Sequence, residues 1–338
     1  MLNPKISIVI PNLNQGQFIE QSILSVLNQN YSNFELIIID GGSTDNSVDI
    51  IKKYKSYISY WVSEPDAGQA DAINKGLSKA SGEFFNWLNS DDYLEAGALH
   101  AISNLFSREP QKKIACGYTR CFFEENGQTS HTYRMGIRKS VVETIMNVEM
   151  NQPGSFYRMD VIRDLGFLNS SLCYVFDGEL WFRFLCKYGL KDVGYTDALI
   201  ANFRLHEKSK SVKDGFFEFY KEYLNIHLFL AIEMNLMPNI ISYLKKEQYI
   251  DGYHSNKWDY HFIERDEFEK IFFERYKFLL YKDHQYQAAR EGLLYYFKMG
   301  KDEKRFANAK LAIKLLLPNS VIDIIRHLNN RRLHDYTG

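Results

Sequence analysis

Two adjacent carboxylates, Asp91 and Asp92, close the apolar run Phe84-Phe85-Asn86-Trp87-Leu88 after Asn89 and Ser90. Like charges side by side at the end of a buried strand require a cation or a helix terminus to balance them. Capping a helix that begins near Gly97 would also use them, with no chemistry involved. Three earlier runs end in the same way. Ile6-Ser7-Ile8-Val9-Ile10 stops at Pro11-Asn12, Leu36-Ile37-Ile38-Ile39 at Asp40-Gly41-Gly42-Ser43, and Tyr60-Trp61-Val62 at Ser63-Glu64-Pro65-Asp66. In an open parallel α/β sheet, ligands bind outside the carboxyl ends of the strands, so polar residues gathered at successive ends define a candidate site.

The elements that must carry these ends are legible as alternating strands and helices from residue 5 to about 120. Phe18, Ile19, Ile23, Val26 and Leu27 share one helical face, Ser43-Thr44-Asp45 reads as a helix start, and Gly68 to Ala80 reads as a further helix. Such alternation predicts a mostly parallel sheet with helices on both faces. Farther on, Lys113 to Phe123, Gly154 to Tyr157 and Leu199 to Leu205 read as strands, and Gly178 to Lys187 as a helix. Beyond Gly215 the chain is helical and rich in Tyr, Phe and Leu, which places a boundary in the polar loop Glu207 to Gly215. The expected division is a domain over 1–212 and a helical extension over 213–338.

Composition narrows the class. With 338 residues, 45% hydrophobic and 25% charged, the chain is ordinary for a globular protein. A net charge of −1 argues against binding nucleic acid through a broad basic surface. Cys116, Cys121, Cys173 and Cys186 lack metal-type spacing and follow no signal peptide, which suits reduced thiols and a cytoplasmic protein. The most apolar stretch, Leu224 to Leu244, is interrupted by His227, Glu233, Asn235 and Pro238, too polar to span a bilayer. At the C-terminal end, Ala312 to Leu317 is followed by Arg326, Arg331 and Arg332. This segment reads either as a peripheral contact with anionic lipid or as a terminal helix packed on its own domain.

Several pieces occur in a fixed order: Ser7-Ile8-Val9-Ile10-Pro11-Asn12-Leu13-Asn14, Ile38-Ile39-Asp40-Gly41-Gly42-Ser43-Thr44-Asp45, Ser63-Glu64-Pro65-Asp66-Ala67-Gly68, Asp71-Ala72-Ile73-Asn74-Lys75-Gly76, Leu88-Asn89-Ser90-Asp91-Asp92, Phe176-Asp177-Gly178-Glu179-Leu180-Trp181 and Arg204-Leu205-His206. As a set, over roughly residues 5 to 211, they resemble the family 2 glycosyltransferases, nucleotide-sugar enzymes with the A-type fold. A Rossmann dinucleotide site fits less well, because the first strand leads into Pro11-Asn12-Leu13-Asn14 and not into a Gly-rich phosphate turn.

The resemblance implies roles. Asp40 would accept a hydrogen bond from a base N–H such as N3 of uracil, with Pro11 shaping the nucleoside slot. Asn12, Asn14, Gly68, Asp71, Asn89 and Ser90 would contribute to the nucleotide site, and Lys75 would face the diphosphate. Asp91 would bind Mn²⁺ or Mg²⁺, which neutralises a diphosphate leaving group, and His206 would complete the coordination or donate to the diphosphate. Asp177 would act as the base that takes the acceptor hydroxyl's proton during inversion, with Glu179 as the neighbouring alternative. Asp92, Gln152, Trp181 and Arg204 would lie on the acceptor side. Each has a plainer alternative: Asp40 and Asp177 as caps or turn residues, Lys75 as a solvated lysine, His206 as structural. Two departures stand out: Asn89 where the family commonly has the first Asp of Asp-x-Asp-Asp, and Gly41 where a second Asp is frequent.

The expected protein is an inverting, metal-dependent transferase with an A-type α/β domain. It would move a sugar from a nucleotide diphosphate donor, a UDP-sugar by expectation, to a hydroxyl of a glycan or lipid-linked acceptor in bacterial surface polysaccharide synthesis. A nucleotidyltransferase would want a basic Gly-rich phosphate loop near the N-terminus. An inactive binding module would account for Asn89 and Gly41.

Overall fold

The computed structural model describes residues 3–213, 215–236, 241–242, 258–282, 319 and 322. The first strand, β1 (Ile6–Asn12), is buried along its whole length and pairs in parallel with β2 (Phe34–Asp40) and β4 (Phe84–Trp87), while β3 (Tyr60–Ser63) extends β2. Strands buried on both faces read as continuous apolar runs, which is why these sequences lack polar alternation. Helix α1 (Ile19–Leu27) follows β1, α2 (Ser47–Lys53) follows β2, and α3 (Gln69–Lys79) follows β3.

Beyond β4 come β5 (Tyr93–Leu94), α4 (Ala98–Arg108), β6 (Ile114–Phe123), β7 (Thr129–Tyr133), α5 (Val141–Met146), β8 (Ser155–Arg158), α6 (Met159–Leu165), α7 (Phe176–Tyr188), β9 (Val193–Leu205), α8 (Lys210–Lys213) and α9 (Gly215–Glu233). The sheet runs β3-β2-β1-β4-β8-β6-β9-β5, with β7 paired to β6. β8 is antiparallel to both β4 and β6, and β9 is parallel to β6. The mixed α/β architecture is the one the sequence pattern predicts, with four strand pairings parallel and four antiparallel among the described residues.

Alternation along β1 sends side chains to two layers. Ile6, Ile8 and Ile10 join Ile19, Ile23 and Val26 of α1 and Leu99, Ile102 and Phe106 of α4 in one core. Val9 points the other way and meets Gly76 of α3, where an added Cβ would lie 2.4 Å from Val9 Cγ1. The close approach that Gly76 permits sets α3, and with it the loop from Ser63 to Gly68, against the carboxyl ends of β1 and β2.

Two boundaries differ from the sequence reading. Helix α2 begins at Ser47, not Ser43, because the Ser43 hydroxyl and N–H are both engaged by Asp40. Helix α7 begins at Phe176, so Asp177 lies within its first turn and does not precede the helix.

The chain divides into two compact units, Met1–Tyr223 with Asp251–Ile263, and Leu224–Ile250 with Glu264–Gly338. In the second unit, Leu224, Leu228 and Ala231 of α9 and Phe268, Phe272 and Phe273 of α10 (Arg265–Lys282) are buried, and Tyr276 lies 2.7 Å from His227 Nδ1. Many of the chain's aromatics thus serve packing. No helix among the described residues is long and apolar enough to cross a membrane. The segment Ala312 to Leu317 with Arg326, Arg331 and Arg332 lies outside the described residues.

Gly76→Ala should destabilise the first unit. Its gain in helix propensity is at most about 1 kcal/mol, whereas overpacking a close-packed interior costs about 1–3 kcal/mol. Val9 is β-branched and fully buried, so it cannot swing aside. A lowered midpoint in chemical denaturation is the expected outcome, and an unchanged or raised midpoint would show that α3 can shift.

Candidate active site

The cleft begins at Asp40, whose side chain is fully buried at the end of β2. Its carboxylate accepts from Asn12 Nδ2 (2.6 Å), Ser43 Oγ (2.5 Å), Ser63 Oγ (2.5 Å), the Ser43 N–H (2.9 Å) and the Gly42 N–H (3.2 Å). Burial works to raise this carboxyl, but the hydroxyls of Ser43 and Ser63 and the Asn12 amide overcome it and hold it below the usual carboxylate range. The donors come from the last residues of β1 and β3 and from the loop after β2, so one charge ties three strand ends together.

The neighbouring loops are laced in the same way. Asn14, at a left-handed φ of 53°, receives the Thr44 N–H on its side-chain oxygen, and its own N–H donates to Ser43 Oγ. Asp45 accepts from the N–H groups of Gly16 and Ser47. Pro11 is buried within β1. Gly68, at φ 116°, donates its N–H to Asp66 Oδ1, and Asp71 accepts from the Ala67 N–H at the start of α3. Lys75 is held over this turn by Glu64 at 3.2 Å, Asp71 at 3.6 Å and the Pro65 carbonyl at 3.2 Å.

A second cluster forms after β4. Asp91 Oδ2 lies 3.0 Å from His206 Nε2, beyond the end of β9. Asp92 is buried and accepts from the Arg204 N–H (2.9 Å) and Asn89 Nδ2 (3.2 Å). Burial, together with the charge of Asp91 beside it, raises the Asp92 carboxyl well above its ordinary value. Arg204 is buried. It donates from Nε to the Asp91 carbonyl, pairs with Glu124 and Gln21, and lies over the rings of Phe18 and Phe122. Neither aspartate caps the following helix, whose N-terminal cap is Gly97. Ser90 is buried and holds Ser22 Oγ through its carbonyl.

A metal can be tested against these atoms. Ligands at about 2.1 Å in adjacent octahedral positions lie about 3 Å apart, which the Asp91–His206 separation of 3.0 Å matches. Among the described residues no group of three or more His, Cys, Asp or Glu side chains forms a cluster, so this pair would bind an ion whose remaining ligands are phosphate oxygens and water.

The third cluster surrounds Asp177. This side chain is half-buried and accepts from the Gly178 N–H at 2.8 Å. Burial is the main cause that raises its carboxyl to about 6, opposed by backbone N–H groups and by the charge of Lys210. Asp177 thus engages an N–H of the helix's first turn, while Glu222 of α9 holds the segment ahead of the helix, accepting from the N–H groups of Cys173, Tyr174 and Val175 at 2.7, 2.8 and 2.9 Å. Glu179 is fully buried and paired with Arg183 at 2.8 Å. Trp181 is fully buried and stacked on Phe184. Gln152 is buried beneath β4, donating to Asn86 Oδ1 and to the Trp87 carbonyl.

Gln69 and Lys210 connect the clusters, and sequence reasoning missed both. Gln69 Nε2 donates to Asn89 Oδ1 (2.7 Å), and Lys210 Nζ donates to Gln69 Oε1 (3.1 Å) and to the Cys173 carbonyl (2.8 Å). Gln69 stood between Gly68 and Asp71 in a quoted motif, whereas Lys210 sat in a loop read as a linker. Glu222 carried no local signal.

Residues 7–171 match the model of glycosyl transferase family 2, so the chain carries the domain of that family. An uncharacterized glycosyltransferase of Rickettsia typhi is 27% identical over 216 residues, covering 61% of this chain and 65% of its own length. The GalNAc(5)-diNAcBac-PP-undecaprenol beta-1,3-glucosyltransferase of Campylobacter jejuni is 29% identical over 134 residues, 38% of this chain and 42% of its own. The chain therefore spans less than two thirds of the length of these relatives. The crystal structure of S. aureus TarS in complex with UDP superposes with a TM-score of 0.53 at 17% identity, covering 86% of this chain and 80% of that one. A complex of the same protein with UDP-GlcNAc gives 0.52. The likeness confirms the fold.

Glu222→Ala should leave three N–H groups at the start of α7 without an acceptor. Leaving buried donors unpaired costs about 1–3 kcal/mol. The melting temperature should fall, with Glu222→Gln recovering part of the loss. A variant as stable as the parent would show that water replaces the carboxylate.

Proposed function

We propose that the chain is an inverting, metal-dependent glycosyltransferase that moves a sugar from a UDP-sugar to a hydroxyl of a glycan or lipid-linked acceptor. The observation that carries this reading is Asp177, half-buried in the first turn of α7 and with its carboxyl raised to about 6. A general base works best when its pKa lies close to the operating pH. In the transfer step the acceptor oxygen attacks C1 of the sugar, the bond from C1 to the diphosphate breaks, and the hydroxyl proton passes to Asp177. The nucleoside diphosphate leaves with the bonding electrons.

Asp91 and His206 would hold Mn²⁺ or Mg²⁺, which supplies charge neutralisation to the departing diphosphate. Arg204 fixes the backbone of Asp91 and the depth of the Asp91–Asp92 turn. Asn89 takes the place of a ligand carboxylate, but its oxygen is engaged by Gln69 and its amide by Asp92, so in this reading it positions the turn and does not bind the ion. Glu179 is spoken for by Arg183 and leaves the base role to Asp177. The UDP and UDP-GlcNAc complexes of TarS support a uridine donor, and the Campylobacter jejuni relative, named for an undecaprenol-linked acceptor, supports a lipid-linked glycan in surface polysaccharide synthesis. A cytoplasmic location, peripheral at the inner membrane, belongs to the same reading.

Asp177→Asn should lower transfer by about 10²–10⁴-fold with little change in affinity for UDP. In the parent enzyme kcat/KM should fall below a pH of about 6, because the base works only when deprotonated and lower pH protonates it. Loss of nucleotide binding together with transfer would make Asp177 structural instead.

Asp91→Ala should abolish the Mn²⁺ enhancement of UDP binding in calorimetry while leaving the circular dichroism spectrum unchanged. An enhancement equal to the parent's would remove Asp91 from the metal site.

A further inference from the structure

Gly41 stands at a strand end where the related pattern carries a carboxylate, yet a carboxylate occupies that space. A Cβ at Gly41 would lie 2.5 Å from Asp66 Oδ2 and 3.4 Å from Asp66 Oδ1. Gly41 itself is not among the glycines with positive φ, so the backbone does not require glycine there. What requires it is the Asp66 side chain, which reaches across from the loop after β3.

The two carboxylates at this end of the sheet are in opposite states. Asp40 is buried and saturated by five donors of its own chain. Asp66 is only partly buried. Its Oδ1 accepts from the Gly68 N–H at 2.9 Å, and no donor of the described residues reaches Oδ2. A nucleobase N–H arriving at the carboxyl ends of β1 to β3 would find its acceptor at Asp66 and not at Asp40.

We infer that Asp66 is the specificity-determining residue for the base of the donor, accepting the imide N3–H of uracil through Oδ2 in the space left by Gly41. The inference rests on the uridine-donor reading above and moves the base contact from Asp40 to Asp66. Uracil presents a donor at N3, whereas cytosine presents an acceptor there, so a carboxylate attracts the first and repels the second.

The geometry makes Asp66→Asn a directed test. The Gly68 N–H needs an acceptor, so the Asn oxygen takes the position of Oδ1 and its NH₂ group takes that of Oδ2. An acceptor is thereby exchanged for a donor at one point, with the turn preserved. In isothermal titration of the full chain with Mn²⁺, the parent should bind UDP at least tenfold more tightly than CDP. Hydrogen bonds to charged groups contribute about 1.5–3 kcal/mol, so Asp66→Asn should weaken UDP by about 10–100-fold and narrow or reverse the preference over CDP. Gly41→Ala, in the loop after β2, should displace the Asp66 carboxylate and give the same loss of UDP affinity. Combined with Asp66→Asn it should add no more than twofold.

A UDP-to-CDP ratio in Asp66→Asn within twofold of the parent's would overturn the inference. So would an equal loss of both nucleotides, which marks a structural turn, or a parent that prefers GDP or ADP. A parent that binds no nucleoside diphosphate would overturn the donor reading itself, and the inference with it.

Discussion

A carboxylate sealed at the end of a strand imposes more order on this protein than any other single group. Removing the Asp40 charge from water costs several kcal/mol unless donors replace the lost hydration. The chain supplies five of them, drawn from the end of β1, the loop after β2 and the end of β3, where each strand passes into its loop. Satisfying Asp40 therefore fixes the spacing of those loops, delays the start of α2 until Ser47, and leaves the strand ends as a rigid floor. The same saturation removes Asp40 from service as a free acceptor, so any ligand contact of that kind has to come from a neighbour.

Two further buried charges repeat the principle at the other clusters. Arg204 is enclosed by aromatic rings and spends its donors on the Asp91 carbonyl, Glu124 and Gln21. It sets the turn that turns Asp91 toward His206. Glu222 spends both oxygens on three consecutive N–H groups ahead of α7. It thereby holds the segment that leads into α7, while Asp177 accepts from the Gly178 N–H within the first turn. The Asp177 carboxyl is raised because burial outweighs its backbone N–H donors and the charge of Lys210. Burial raises Glu179, two residues on, as well, although Arg183 at i+4 pairs with it and opposes the shift.

The second and third clusters are linked by a short polar chain, from the Cys173 carbonyl through Lys210, Gln69 and Asn89 to Asp92. Asn89 is a consequence of that chain as much as a departure from a pattern. Its oxygen and amide each have a partner, so an amide completes a network in which a carboxylate could not donate to Asp92. Gly41 is explained in the same terms, since the space above it is filled by Asp66.

The sequence by itself determined the architecture and the addresses of the site. Apolar runs buried on both faces announced parallel strands, and the polar residues that interrupt them marked where a ligand would lie, because strand ends are the one place such a sheet opens to solvent. Ser43-Thr44-Asp45 misled as a helix start because the same residues serve caps and strand-end turns, and only the position of Asp40 distinguishes the two. Tertiary structure alone decided which charges are spent and which are free. The saturation of Asp40 by Asn12 and Ser63, and the hold of Glu222 on Val175, 47 positions before it, depend on hydrogen bonds between segments distant in sequence. Local spacing carries no record of those partners, and a carboxylate's chemistry is set by them.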